Sequence, residues 1–164
     1  MTKFGLLVAM ACVAAIALAG TLAVAQDKRK QVASTTTETH AKKAHRLVLQ
    51  VNSADPATMN LALNNASNVE QYYKDLGEKV EIEIVTFGPG LHMLREDTSP
   101  VRDRIKALAE KSKAISFKAC GNTQANMAKA ENQEIELVPQ ATVVKSGVVR
   151  VIELQEQGWS YVRP

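Results

Sequence analysis

Hydrophobic and polar positions divide the chain into three stretches. An uncharged apolar run extends from Phe4 to Ala25, a polar and charged stretch without periodicity follows from Gln26 to His45, and from Arg46 short apolar runs alternate with longer helical patterns. In the third stretch, Leu47-Val48-Leu49-Gln50-Val51 has the character of a buried strand. Asp55 is placed to cap a helix with Pro56 at its first position. Met59, Ala62, Leu63, Ala66, Val69 and Tyr73 recur at helical spacing until Gly77. A second strand is predicted from Val80 to Phe87, where Glu81 and Glu83 give one face a polar character, and Gly88-Pro89-Gly90 ends it in a tight turn.

Ser99-Pro100 suggests a second cap and first helical residue, with Val101, Ile105 and Leu108 forming the apolar stripe. Strand three is predicted at Ala114 to Ala119, running into Cys120-Gly121-Asn122-Thr123 and a short helix for which Asn122 is the expected cap. Strand four is Ala141 to Val144, Ser146 caps a further helix reaching towards Gly158, and Trp159-Ser160-Tyr161-Val162 forms a last strand. Strands alternating with helices imply an α/β fold: a parallel sheet of about five strands with right-handed crossovers and helices on both faces. Trp159 and Tyr161 share one face of the last strand by its period of two, and are expected to be buried at the sheet edge or a subunit contact.

The N-terminus carries the three parts of a secretory signal: Lys3, the apolar run, and the small-residue site Ala23-Val24-Ala25. Cleavage after Ala25 is expected, which makes residues 1–25 a signal peptide, 26–45 a flexible tether and 46–164 the folded domain of an exported, periplasmic-type protein. The competing reading is an uncleaved anchor. Against it, Ala and Gly dilute the run, and Lys28-Arg29-Lys30 lies on the side to be translocated. No stable membrane insertion is expected after cleavage.

Of 20 basic residues only Lys3 lies in the signal, so the mature chain keeps 19 against 17 acidic, a charge of +2. Such a balance lacks the concentrated basic stripe of a nucleic-acid binder. Cleavage also removes Cys12 and leaves Cys120 as the single thiol, with no partner for an intramolecular disulfide. His40 and His45 near Glu38 lack the further ligands of a metal site and are assigned to the tether, so no metal is expected. Gly88-Pro89-Gly90 is not a dinucleotide loop, since Met93 stands where a third Gly is needed and Pro89 has no N–H. No motif calls for a cofactor.

Ligands of parallel sheets bind beyond the carboxyl ends of the strands. Those ends are Asn52-Ser53, Gly88-Pro89-Gly90, Cys120-Gly121-Asn122-Thr123 and Lys145-Ser146-Gly147. Cys120 is the candidate catalytic residue; Asn52, Gly88, Gly90, Gly121, Asn122, Thr123 and Lys145 are the candidate substrate-binding residues. A helix starting beside Cys120 directs free N–H groups and its positive dipole end at the sulfur and favours thiolate. Two readings stand: a reactive nucleophile, or a buried, inert cysteine completing a core strand. His92 is a base for the thiol, a ligand in the cleft, or an ordinary loop residue.

Several segments resemble the DsrE/DsrF-like family, in its exported branch: His45-Arg46-Leu47-Val48-Leu49-Gln50-Val51-Asn52, Thr86-Phe87-Gly88-Pro89-Gly90-Leu91, Phe117-Lys118-Ala119-Cys120-Gly121-Asn122-Thr123, Gly147-Val148-Val149-Arg150, and Gln157-Gly158-Trp159-Ser160-Tyr161. The resemblance implies a YchN-like fold and homo-oligomers of three or six subunits. It also implies a cysteine after the third strand that holds sulfane sulfur as a persulfide, taken from a sulfur donor and passed to an acceptor. Cys120 occupies that place. Gln124-Ala125-Asn126-Met127 departs from the pattern, because relay members carry arginines and a glycine there.

Overall fold

The computed structural model describes residues 45–164. The expected signal peptide and residues 26–44 of the expected tether lie outside this range. His45, placed at the end of the tether by the sequence, is instead the first residue of β1 (His45–Val51). Its ring stacks on Tyr73 at 3.8 Å and its Nε2 lies 2.7 Å from Glu78 Oε2.

After β1 come α1 (Pro56–Asp75), β2 (Val80–Thr86), a 3-10 helix (Gly88–Leu94), α2 (Arg102–Lys111), β3 (Ile115–Cys120), α3 (Gly121–Glu131), β4 (Ala141–Val144), α4 (Gly147–Glu156) and β5 (Ser160–Val162). The start of α1 follows its sequence signal. The Asp55 carboxylate accepts the N–H groups of Ala57 and Thr58 at 3.2 and 3.0 Å, and Pro56 needs no partner for a missing N–H. α2 begins later than Ser99-Pro100 suggests, at Arg102. The Ser99 hydroxyl is committed to a turn: it donates to the Met93 carbonyl at 2.6 Å and accepts the Val101 N–H at 3.3 Å.

All strand pairs are parallel and the sheet order is β4-β3-β2-β1-β5. The chain steps from β1 to β4 in one direction, then returns through α4 to pair β5 with β1. Right-handed crossovers therefore place α1, α2 and α3 on one face and α4 on the other. The cores agree. The larger contains Leu47, Leu49 and Val51 of β1, Met59 and Leu63 of α1, Ile105 of α2 and Phe117 of β3. The smaller holds only Val48, Val85, Val151 and Leu154, with Phe87 and Trp159 packed against it.

One helix cannot cover that second face with apolar side chains alone. Glu83, on the polar side of β2, is 8% exposed and receives both Nε and Nη2 of Arg150 from α4, at 2.9 and 2.6 Å. A bidentate pair of this kind compensates the carboxylate for its lost water. Arg95, at the end of the 3-10 helix, is 1% exposed and grips the carboxylates of Asp97 and Glu131, which ties that helix to the end of α3.

The last strand departs from expectation. Trp159 is half-buried with Arg46 above its ring at 5.8 Å, but Tyr161 remains 39% exposed, its hydroxyl donating to Gln50 Oε1 at 2.8 Å. Among the described residues Tyr161 is therefore only partly covered.

Candidate functional site

Successive crossovers diverge at the carboxyl edge between β3 and β4. The chain leaving β3 enters α3 on the larger-core face, and the chain leaving β4 enters α4 on the opposite face. Such a divergence opens a crevice between two neighbouring strands. Cys120 is paired with Val144 there, at the last register position of the two strands.

The strand runs into α3 without an intervening turn. Asn122, expected as the cap, lies instead in the first turn of α3, and Cys120 occupies the capping position. The physical reason is that the Asn122 N–H is held by the Lys145 carbonyl at 3.2 Å, which draws the start of α3 onto the β4 loop. Gly121 serves this approach rather than a reversal of the chain. A Cβ there would lie 3.2 Å from Val143 Cγ1 and 3.3 Å from the Val144 carbonyl oxygen.

α4 also ends on the sulfur. Gly147, its first residue, is packed so closely that a Cβ would stand 2.8 Å from Phe87 Cδ1 and 3.2 Å from Cys120 Cβ. Only glycine lets this helix terminus come so near. Neither α3 nor α4 carries an acidic residue in its first turn, so no side chain of its own offsets the positive end of either helix.

Cys120 is 4% exposed. Burial pushes its thiol pKa up. Against this, the Thr123 hydroxyl, the Gly147 N–H and the N–H groups of Thr123 and Asn122 favour the thiolate, and the balance lies below the ordinary thiol value. None of these is a tight capping bond, and the Asn122 N–H is shared with the Lys145 carbonyl. The effect comes from several donors acting together. Thr123 is oriented in turn by Gly88, whose N–H donates to the Thr123 hydroxyl oxygen at 3.0 Å.

Gly88, Gly121, Asn122, Thr123 and Lys145 thus gather around Cys120, as their positions at strand ends imply. Asn52 and Gly90 do not join them. They sit at the end of β1, separated from β3 by β2, about 10 Å at the usual strand spacing. Gly90 is buried, and a Cβ on it would fall 2.1 Å from the Val51 carbonyl oxygen. Its role is to let the 3-10 helix pack on β1. His92 is occupied by Thr98, 2.8 Å from its Nδ1, with no hydrogen bond to Cys120.

Gly147 was absent from the residues assigned to the site by sequence. Its signal was present: the strand-end and helix-start reasoning that singles out Cys120 applies equally to Ser146-Gly147 after β4. A cleft of about 560 Å³ opens at the end of β4 and the start of α4, lined by Asn122, Val144, Lys145, Ser146, Val149, Arg150 and Glu153; Cys120 does not line it.

The described residues form a parallel α/β domain whose one cysteine lies between two helix N-termini at a topological switch point. The model of the DsrE/DsrF-like family matches residues 30–164, and the chain belongs to that family. The match begins inside the segment expected as a tether. Among solved structures, the chain is similar to the protein of unknown function MTH1491 from Methanobacterium thermoautotrophicum. Identity is 29% and the TM-score 0.62, over 73% of this chain and 99% of that one. No curated protein matches.

Proposed function

We propose that this protein is an exported sulfur carrier or sulfurtransferase-like protein that holds sulfane sulfur as a persulfide on Cys120. The observation that carries the reading is the place of Cys120, at the N-cap of α3 and against Gly147, the first residue of α4, an environment that lowers its thiol pKa in spite of burial. A thiolate is the nucleophile in sulfur transfer, and the persulfide it forms is again an anion. Donors that stabilise the first also stabilise the second. Membership in a family associated with sulfur relay supports the same chemistry.

Two further parts belong to the proposal. Residues 1–25 act as a signal, and the exported form begins at Gln26; N-terminal sequencing of the extracytoplasmic protein tests this, and Met1 retained in a membrane fraction overturns it. Among the described residues no helix is long and apolar enough to cross a membrane. The domain also assembles with copies of itself, a reading supported by the exposed Val143, Val148, Val149 and Ile152 around α4 and the neighbouring strand edge.

The 4% exposure of Cys120 favours a second reading, a non-catalytic oligomeric module with an inert thiol. One experiment separates the two. The full chain carrying Cys12→Ser, so that Cys120 is the only thiol, is treated with a sulfane-sulfur donor and weighed intact. Gain of one sulfur, absent in Cys120→Ser, supports the carrier; no gain and no alkylation without denaturant establishes the inert module.

A further inference from the structure

Cys120 belongs to the sparsely covered face of the sheet. Along β3, Ile115, Phe117 and Ala119 enter the larger core, so by the period of two Ser116, Lys118 and Cys120 stand on the opposite face. Ser116 and Lys118 are only half-buried there, whereas Cys120 is buried. The start of α4 accounts for the difference. Gly147 is so close that a Cβ on it would lie 3.2 Å from Cys120 Cβ, with Phe87 packed on its other side.

Few contacts hold this helix down. Its buried apolar side chains are Val151 and Leu154, set against Val48 and Val85. Among the described residues its side-chain hydrogen bonds to the sheet are the two from Arg150 to Glu83. Both ends are built to bend. Ser146 makes no side-chain capping bond to the helix, Gly147 is its first residue, and Gly158 follows its end with φ +83°. Beyond those points the chain is fixed: the Lys145 carbonyl accepts the Asn122 N–H of α3, and β5 pairs with β1.

We propose that α4 is a hinged cover over Cys120, which lifts from the second face about Ser146-Gly147 and Gly158 while the sheet and the helices of the larger core stay folded, and that the Arg150 to Glu83 pair is its latch. The proposal rests on the reading of Cys120 as a working thiol and adds how that thiol is reached. An element with few buried contacts opens at a lower free energy than the whole domain, so such a cover exposes the sulfur without global unfolding. Because the latch lies one helical turn from Gly147, breaking it frees the end of the helix that rests on the thiol.

The test uses the full chain with Cys12→Ser, at one chain concentration and at about pH 9.5, above the ordinary thiol value, so that shifts in thiol pKa do not enter. Iodoacetamide labelling of Cys120 is followed against urea and set beside global unfolding. Labelling through the cover should depend on urea with a slope well below the global one. Arg150→Met is expected to raise the labelling rate about tenfold or more, and Glu83→Gln about threefold or more. Leu63→Ala, in the larger core, should lower the global folding equilibrium about a hundredfold and leave labelling within about twofold; Ile105→Val replaces it if that variant does not fold. A rate that Arg150→Met and Glu83→Gln both leave within about twofold overturns the cover, and if it is also independent of urea the thiol is open in the native state and the carrier reading stands. Labelling that follows global stability in every variant overturns both. Labelling through the cover with no sulfur gained from a sulfane-sulfur donor supports the cover and overturns the carrier.

Discussion

Thr123 accepts the Gly88 N–H through its hydroxyl oxygen at 3.0 Å, and its hydroxyl is the group that most lowers the Cys120 thiol pKa. A loop leaving β2 thus orients the group that most favours the thiolate on β3. Thr123→Val keeps the shape and removes the donor. Its thiol pKa is expected to rise, and alkylation of Cys120 at neutral pH to slow about tenfold, the lower end of what a hydrogen bond to a charged group is worth. Thr123→Ser should retain the parent profile. Iodoacetamide rates against pH, in the Cys12→Ser chain, check both.

Gly147→Ala forces a Cβ against Phe87 and Cys120. The helix terminus must retreat, which weakens the Gly147 N–H contribution to the thiolate. A loss of about 1 to 3 kcal/mol is expected from overpacking, together with an upward shift of the alkylation midpoint. Denaturant unfolding and the same alkylation series measure the two effects. An unchanged midpoint would show that α4 does not act on the sulfur.

The depressed thiol pKa makes stability depend on pH. Between the folded value and the ordinary thiol value the unfolded chain binds more protons, so stability rises with pH across that window. The contribution is complete above the ordinary value and is lost as pH falls through the folded one. Melting temperature recorded against pH should show this rise in the Cys12→Ser chain and a flatter profile when Cys120→Ser is added.

Arg150 and Glu83 hold α4 to the second face. Arg150→Met strands a carboxylate that is 8% exposed and is expected to cost about 2 to 3 kcal/mol, below the full cost of breaking a buried pair because Arg150 itself is partly solvated. Adding Glu83→Gln should recover part of that loss. Chemical denaturation of the two single variants and the double variant gives the coupling directly.

Much of the fold was legible from local signals. Apolar runs of strand length, the Asp55-Pro56 start, Gly77 after α1 and the regular alternation of strand and helix all act within a few residues of one another, and each appears where the pattern puts it. Boundaries shifted where a side chain had a distant partner. His45 joins β1 because Tyr73 and Glu78 receive it, and α2 starts late because Ser99 is drawn to Met93.

Sequence alone was enough to place Cys120 at a strand end followed by a helix, because both features are short-range. It could not choose between Asn52 and Gly147 as the neighbour of the thiol. Both lie at strand ends, and the choice depends on strand order: β4 adjoins β3, while β1 lies beyond β2. Strand order follows from which helices cover which face, a balance of burial summed over the whole domain. The burial of Arg95, the Glu83 to Arg150 pair and the approach of a second helix to Cys120 all rest on contacts between residues far apart in the chain, and only the tertiary structure decides them.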